Sequence, residues 1–531
     1  MPIPDPVRPS LAPYQAYPLQ DILRKTADRL PDKIAIIDGK RTFTFQQLQT
    51  YSDQLAAALA GIGIRPADRV GLLAPNCAEF EIAFFGIVKA GAIASTLNSG
   101  YREREIAHQL NNSGAEVLIV HSALLEMAEA AKSDVPTLKR MIVIEEGSSD
   151  ATSFWGLIEG SPASPPAIKV DPMTDLVVLP YSSGTTGLPK GVMLTHHNLT
   201  SNVEQIINRP GELTACTEDD VVLVHLPLFH IYGMNVHMNP CIALGATQVM
   251  MGRFDMESFL TLLSEHKVTA MYTVPPVGLG LSQYPGVANY DLGSLRFGVF
   301  GAAPMSADLQ NRIENALGIP IIQAYGLTET SPLANVDFAE PARRRPGSIG
   351  PAASDTEEKV VDVEDSTKEM PYGESGELMI RGPQVMQGYY NDPDATSEML
   401  TPDGWLHTGD IVRMDEDGYV WVLDRKKELI KYKGFQVPPA ELEGLLLEHP
   451  SVADAAVIGK ANEESGEIPK AFIVRKDGQE VSADEIMEFV AGKVSTFKHV
   501  REVEFVDAIP KNPSGKILRR ILVERERAKS G

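Results

Sequence analysis

The chain has 531 residues, of which 43% are hydrophobic, 22% charged and 7% aromatic, ordinary globular values that exclude wholesale disorder and fibrous repeats. Its 48 Lys and Arg stand against 71 Asp and Glu, a net charge of −23, which excludes a protein that binds nucleic acid or an anionic membrane over its whole surface. At roughly 150 residues per unit the length suggests about three or four units, with ample chain for a sizeable core.

Helix and strand signals alternate along the chain. Pro18–Leu30 reads as an amphipathic helix, with Leu19, Ile22, Leu23, Ala27 and Leu30 near one face. Ala35-Ile-Ile-Asp-Gly turns back through Lys40 into Thr42-Phe-Thr-Phe, a hairpin pattern. Thr44 is the expected N-cap of the next helix. Arg69-Val-Gly-Leu-Leu and Glu116-Val-Leu-Ile-Val read as buried strands around a helix at Glu79–Ala90. Such a rhythm argues for sheets covered by helices. Ser161-Pro-Ala-Ser-Pro-Pro is a surface connector. Asp175–Tyr181, Val221–Leu226, Thr247-Gln-Val-Met-Met, Ala270–Val274 and Phe297–Phe300 continue the strands. From about Gly347 to Leu423 short strands and turns predict a β-rich subdomain. Beyond it come Ala440–Leu447 (helix), Val452–Gly459 and Lys470–Arg475 (strands), Ala483–Val494 (helix) and Glu502–Val506 (strand).

The charge is unevenly placed: residues 425–531 carry net +1 and residues 1–424 carry net −24. The tail therefore differs in kind from the body. The expected fold is α/β, with a large N-terminal domain over 1–424 that includes the β-rich subdomain. A small mobile α+β domain follows over 425–531.

Cys77, Cys216 and Cys241 form no CxxC pair, so a disulfide scaffold or zinc ribbon is not expected. The N-terminal stretch lacks a basic-then-apolar leader pattern. Ala83–Ala94, broken by Lys89, falls short of the roughly 18 apolar residues of a membrane span. The terminal residues AKSG are no peroxisomal address. A soluble cytoplasmic protein without a transmembrane segment is expected; the oligomeric state is not legible.

Tyr181-Ser-Ser-Gly-Thr-Thr-Gly-Leu-Pro-Lys190-Gly191 follows an apolar strand. Gly184 and Gly187 let backbone N–H groups approach an anion. Ser182, Ser183, Thr185 and Thr186 add hydroxyl donors, and Lys190 adds a mobile positive charge suited to phosphate. It is not a Walker loop, because Pro189 stands where the second glycine belongs and Gly191 where Ser or Thr belongs.

With this string the chain resembles the adenylate-forming superfamily of acyl-CoA synthetases, luciferases and peptide-synthetase adenylation domains. It looks closest to the branch holding 4-coumarate:CoA ligases, beetle luciferases and fatty-acyl-CoA ligases, over roughly residues 15–525. The further motifs come in the family's order. In Leu226-Pro-Leu-Phe-His230-Ile-Tyr232-Gly, the resemblance places His230 and Tyr232 at the acyl pocket, with His230 in the catalytic set. Gly301-Ala-Ala-Pro304 would wall the adenine through Ala302. In Gln323-Ala-Tyr325-Gly326-Leu-Thr328-Glu329-Thr330, the resemblance assigns Gln323, Ala324, Tyr325 and Gly326 to the nucleotide and Thr328 to a phosphate oxygen. Glu329 would hold Mg²⁺, a hard cation that bridges phosphates through one or two carboxylates. Asp403-Gly-Trp-Leu-His-Thr408-Gly409-Asp410 would offer Asp410 to the ribose diol.

Five positive residues crowd Arg425 to Lys433 against one Glu. The matching family segment is the inter-domain hinge, carrying Arg425 and Lys427, and the lip of the thioester site, carrying Lys431, Lys433, Gly434 and Gln436. Arg253 corresponds by spacing to a basic residue that contacts CoA. In Pro510-Lys-Asn-Pro-Ser-Gly515-Lys516 the lysine would reach the carboxylate–ATP junction. The catalytic set implied is thus Lys516, Lys431, Gln436, His230, Glu329 and Thr186.

The resemblance implies an acyl-CoA ligase. A carboxylate attacks the ATP α-phosphate, pyrophosphate leaves, and the thiol of CoA displaces AMP; ATP, Mg²⁺ and CoA are the implied cofactors and a small carboxylic acid the partner. Tyr232, Val236, Val274, Gly301, Gly326, Pro332 and Leu333 are the expected acyl pocket. Their apolar character favours a medium- or long-chain fatty acid, with an arylpropenoate such as coumarate as the alternative. A luciferase-like oxygenase and a carrier-loading adenylation enzyme are the rivals on the same fold; a non-catalytic nucleotide-binding regulator is disfavoured by Lys190, Glu329, Asp410 and Lys516.

Overall fold

The computed structural model describes residues 7–145, 152–182, 189–209, 212, 214–426, 428–433, 435–462, 465–512 and 515–530. Among them two large sheets carry most of the body. One has eight strands in the spatial order Leu333–Val336, Ile321–Gly326, Phe297–Phe300, Ala270–Thr273, Val221–Val224, Thr247–Met250, Ile34–Asp38 and Arg41–Thr44. Its six inner strands run parallel and its two edges antiparallel. The other has nine strands. Its path runs Gly388–Tyr389, Lys190–Thr195, Leu176–Val178, Ile93–Thr96, Arg69–Leu73, Val117–His121, Arg140–Ile144 and Thr152–Ser153, with Tyr181–Ser182 pairing Lys190–Thr195.

The helices Phe45–Gly61, Ala78–Lys89 and His196–Ile207 join both sheets in one apolar core that includes Ile36 and Val224 from one sheet and Val70 and Leu194 from the other. Ala78–Lys89 is buried over its whole length, so it reads as apolar nearly all round, as a helix between two sheets must. Its buried charges are paired: Lys89 Nζ lies 2.7 Å from Asp53 Oδ1, and Glu79 meets Arg41. Glu81 has one hydrogen bond, from Gln248, and burial pushes it up to about 8, so it is mostly neutral at pH 7. Among the described residues no helix is long and apolar enough to cross a membrane.

Local signals in the sequence account for most boundaries. Thr44 caps Phe45–Gly61 in a capping box with Gln47, satisfying two donors at the helix start. The first helix is shorter than its periodicity predicts, Asp21–Arg29, because Pro18 to Gln20 form a turn that accepts the Asp21 N–H. The expected strand Asp175–Tyr181 divides into Leu176–Val178 and Tyr181–Ser182; Pro180, between them, has no N–H for a ladder. Ala483–Ala491 stops three residues before its expected end, at Gly492.

Glu357–Val361, Ser375–Arg381, Leu406–Met414 and Val420–Arg425 form an antiparallel four-stranded sheet. A five-stranded sheet follows, from Ile430–Tyr432, Phe435–Val437, Val452–Asn462, Gly466–Arg475 and Glu502–Phe505. It packs on Pro439–Leu447 and Ala483–Ala491 through Leu442, Leu446, Ile486 and Val490. Its last loop returns to the body. Gly515 has φ of +79°, and a Cβ there would lie 2.9 Å from Pro276, so only glycine permits this approach.

Candidate active site

A cavity of about 910 Å³ opens beyond the C-terminal ends of the parallel strands of the eight-stranded sheet. The body lines it with Pro227, Gly301 and Gly326, and the last loop of the chain with Lys511, Asn512 and Lys516. Crevices at strand carboxyl ends are where such sheets bind ligands, and the volume is large for a single small molecule.

One wall is the hairpin in which Lys190 faces Ser182 and Gly191 faces Tyr181. Ser183, Gly184, Thr185, Thr186 and Gly187 of the phosphate-type loop lie outside the described residues. Lys190 lines the cavity, its ammonium 3.1 Å from Asp392 Oδ2 and both side chains about one-third exposed. Buried Glu329 accepts two hydrogen bonds on Oε1, from Ser182 Oγ at 3.0 Å and Tyr389 OH at 2.8 Å. Its carboxylate is thus oriented by the base of the loop. Among the described residues no group of three or more His, Cys, Asp and Glu is placed to hold a metal ion. One carboxylate beside a phosphate loop is nonetheless the donor set that suits Mg²⁺ carried in on phosphates.

A second wall joins strand Ile321–Gly326 of the eight-stranded sheet to the antiparallel four-stranded sheet. Asp410 is buried, with Tyr325 OH donating to Oδ2 at 2.5 Å and Arg425 Nε 2.9 Å from Oδ1. Burial raises its pKa, opposed by Arg425 and the Tyr325 hydroxyl. Each oxygen keeps a lone pair for a further donor. Arg425 therefore belongs to the cavity wall as the last residue of strand Val420–Arg425. Ala302, Ala324, Tyr325, Gly326 and Thr328 also line the cavity. Ala302 has φ of +67°, a left-handed turn that costs a non-glycine residue about 1–3 kcal/mol and is typical of functional sites. Gln323 does not line the cavity: its Nε2 donates to Gln310 Oε1 at 3.1 Å, facing the helix Ala307–Leu317.

Between the walls stand His230 and Lys516. His230 Nδ1 accepts the Tyr232 N–H at 3.2 Å, which leaves the ring proton on Nε2. Burial, and then the Lys516 ammonium, push His230 down to about 4. Near pH 7 it is a neutral hydrogen-bond donor and not a cation. Lys516 is lowered to about 8, first by burial and then by Arg425, while Glu428 and Asp410 hold it up. Its turn is closed by Asn512, whose side chain accepts the Lys516 N–H at 2.8 Å.

Of the residues assigned to an acyl pocket, Tyr232, Val236, Gly301, Gly326, Pro332 and Leu333 line the cavity. A Cβ on Gly326 would fall 1.8 Å from the Pro332 carbonyl oxygen, so the wall closes there only because the residue is glycine. Val274 is buried in the core instead and does not line the cavity. The pocket also contains Ile206, Arg209, Tyr272, Val299 and Val336. Tyr272 could have been found, since it precedes Val274 in an expected strand; nothing local marks Arg209.

The residues expected at the thioester step are not brought here. Lys431 and Lys433 lie on the outer hairpin of the five-stranded sheet and do not line the cavity. Arg253 is exposed on a turn, also away from it. Lys427 and Gly434 lie outside the described residues, as does the side chain of Gln436.

The AMP-binding enzyme family model matches residues 23–390, and that of the AMP-binding enzyme C-terminal domain matches 441–516. A 4-coumarate–CoA ligase of Pinus taeda is 41% identical over 520 residues, covering 96% of this chain and 95% of that protein. The 4-coumarate–CoA ligase 5 of Oryza sativa subsp. japonica is 40% identical, covering 97% and 95%. Among solved structures, the anthranilate CoA ligase AuaEII in complex with anthranoyl-AMP is similar at a TM-score of 0.91 and 31% identity, covering 97% of this chain and 98% of that one.

Proposed function

The chain belongs to the AMP-binding enzyme family, and from that premise we propose that it is a CoA ligase for a compact aryl acid of the arylpropenoate class. It is an ATP-dependent, AMP-forming acid–CoA ligase. The observation that carries the choice of acid is the polar lining deep in the pocket. Tyr272 and Arg209 stand among the wall residues, where a long alkyl chain would need a continuing apolar channel. The 4-coumarate–CoA ligases at about 40% identity support the same choice. The apolar residues that favour a fatty acid line only part of the pocket.

In the first half-reaction the acid's carboxylate attacks the ATP α-phosphate and pyrophosphate leaves. Lys516 and Lys190 offset the gathering negative charge. Neutral His230 donates an Nε2–H hydrogen bond toward the carboxylate, and, lowered to about 4, it is not an imidazolium acid near pH 7. Asp410 accepts from the ribose, sharing lone pairs with Tyr325 and Arg425. Glu329, oriented by Ser182 and Tyr389, would hold Mg²⁺, which when bound neutralises phosphate charge. In the second half-reaction the thiol of CoA displaces AMP. Lys431, Lys433 and Gln436 are assigned to it, with Arg253 toward CoA. Residues 425–531 are the mobile unit, turning near Lys427 to exchange one face for the other.

The test is incubation with ATP, Mg²⁺, CoA and a mixed pool of fatty and aryl acids, read by mass spectrometry. An arylpropenoyl-CoA formed with equal AMP is the expected product. Dominant fatty acyl-CoA would return the choice to an alkyl acid. Acyl-AMP without acyl-CoA would move the acceptor to a carrier protein or oxygen.

A further inference from the structure

The segment before the first helix lies across the body as a strap. Asp355 pins it, accepting from Ser10 Oγ, the Leu11 N–H and Tyr14 OH. At its start Arg8 is buried, with only 4% exposure. Arg8 Nε donates to Glu212 Oε1 at 2.9 Å and Nη2 to the Val336 carbonyl at 2.9 Å. Nη1 donates to the carbonyls of Pro351 and Ala352, both at 3.2 Å. The guanidinium also lies 4.3 Å from the centre of the Phe338 ring.

Two of these contacts lead into the acid pocket. Val336 is itself a lining residue. Glu212 Oε2 lies 3.7 Å from Nη1 of Arg209, another lining residue that is 5% exposed. Arg209 is anchored by Nε to the Ile206 carbonyl at 2.9 Å and by Nη2 to that of Thr214 at 3.3 Å. Two guanidinium groups thus share the Glu212 carboxylate at the pocket wall. Tyr272 stands on the same part of the wall, its hydroxyl 3.2 Å from Cys216 Sγ. Tyr272 pairs with Val299, two residues before Gly301, so this end lies deeper in the sheet than the Gly301 turn, away from the strand ends where the Lys516 loop closes the cavity.

We propose that Arg8 is a positioning residue for acid selection: by sharing Glu212 with Arg209 it holds a guanidinium beside Tyr272 at the deep end of the pocket, which selects acids bearing an oxygen acceptor remote from the reacting carboxylate. This rests on the aryl-acid reading above. A site that hydrogen-bonds a substrate oxygen discriminates against the analogue lacking it far better than an apolar pocket does.

The test compares kcat/KM for 4-hydroxycinnamate and cinnamate, which share a skeleton and differ by one oxygen. The wild-type protein prefers the hydroxylated acid by about tenfold or more, the range of a charged hydrogen bond. Arg209→Met, which leaves Arg8 and Glu212 paired, abolishes that preference by raising the KM for 4-hydroxycinnamate more than that for cinnamate, with the KM for ATP unchanged. Arg8→Met moves the ratio the same way by less, and Arg8→Lys restores part of it. If Arg209→Met does not fold, Tyr272→Phe probes the same end and lowers the same ratio. A ratio unchanged by these variants, or equal losses on both acids, overturns the proposal and leaves the ligase reading intact. Turnover of neither acid by the wild-type protein, with fatty acids accepted, overturns the aryl reading itself.

Discussion

Lys516 and Lys431 belong to the same small α+β unit, and their surroundings could hardly differ more. Lys516 lines the cavity, where burial and Arg425 lower its pKa to about 8. Lys431 is exposed on the outer hairpin, its backbone N–H held by Glu467. The difference teaches that this arrangement of the unit brings Lys516 to the cavity and leaves Lys431 outside it. The neutral His230, the Asp410–Arg425 pair and Glu329 all converge with Lys516, and none of the described residues proposed for the thioester step joins them. A two-step ligase with both lysines in use must therefore move the unit between steps.

The comparison breaks most readily at Lys516. Lys516→Ala is expected to slow adenylation by at least about 10²-fold, the loss of one preorganised charge, while sparing thioester formation from supplied acyl-adenylate. Equal loss in both half-reactions would refute the assignment. Gly515→Val drives a side chain into Pro276 and should slow adenylation more than about tenfold, since small misplacements of a reacting group are expensive; the second half-reaction, assayed alone, should hold. Lys431→Ala is the mirror experiment, with roughly a tenfold loss confined to thioester formation. If adenylation fell instead, Lys431 would belong to the first step after all.

The pH profile sharpens the same contrast by a smaller factor. Lysine ordinarily titrates near 10.5, and Lys516 is lowered to about 8, so its cation is lost as pH rises through 8. Adenylation should decline there, and Lys516→Arg should remove that decline. His230, at about 4, contributes no limb between pH 6 and 7; a limb that vanishes in His230→Asn would reverse its reading as a neutral donor. Smallest of all, Thr44→Ala removes a helix cap in the body and should cost about 1 kcal/mol of stability in a denaturant titration, with both half-reactions unaltered.

Alternating patterns, caps and turn residues made most of the elements legible, because they act over a few neighbouring positions. The motif strings likewise marked His230, Glu329, Asp410 and Lys516, each of which lines the cavity or is buried against its wall. Other placements needed the folded chain. Gln323 sits inside a motif string yet turns toward Gln310, and Val274 turns into the core, because a string names positions and not the direction in which each side chain packs.

What the sequence by itself determined is the α/β class, the sheet-forming strands, the family and the chemistry that its motif residues can perform. What only the tertiary structure decided is which of those residues meet: Tyr389 with Glu329, Arg425 with Asp410, Lys516 with His230, and Arg8 with Glu212. The physical reason is range. Helix and strand signals arise from backbone geometry over neighbouring residues, whereas Arg8 and Glu212 are 204 positions apart and meet only when two packed sheets and a strap bring their charges out of water together.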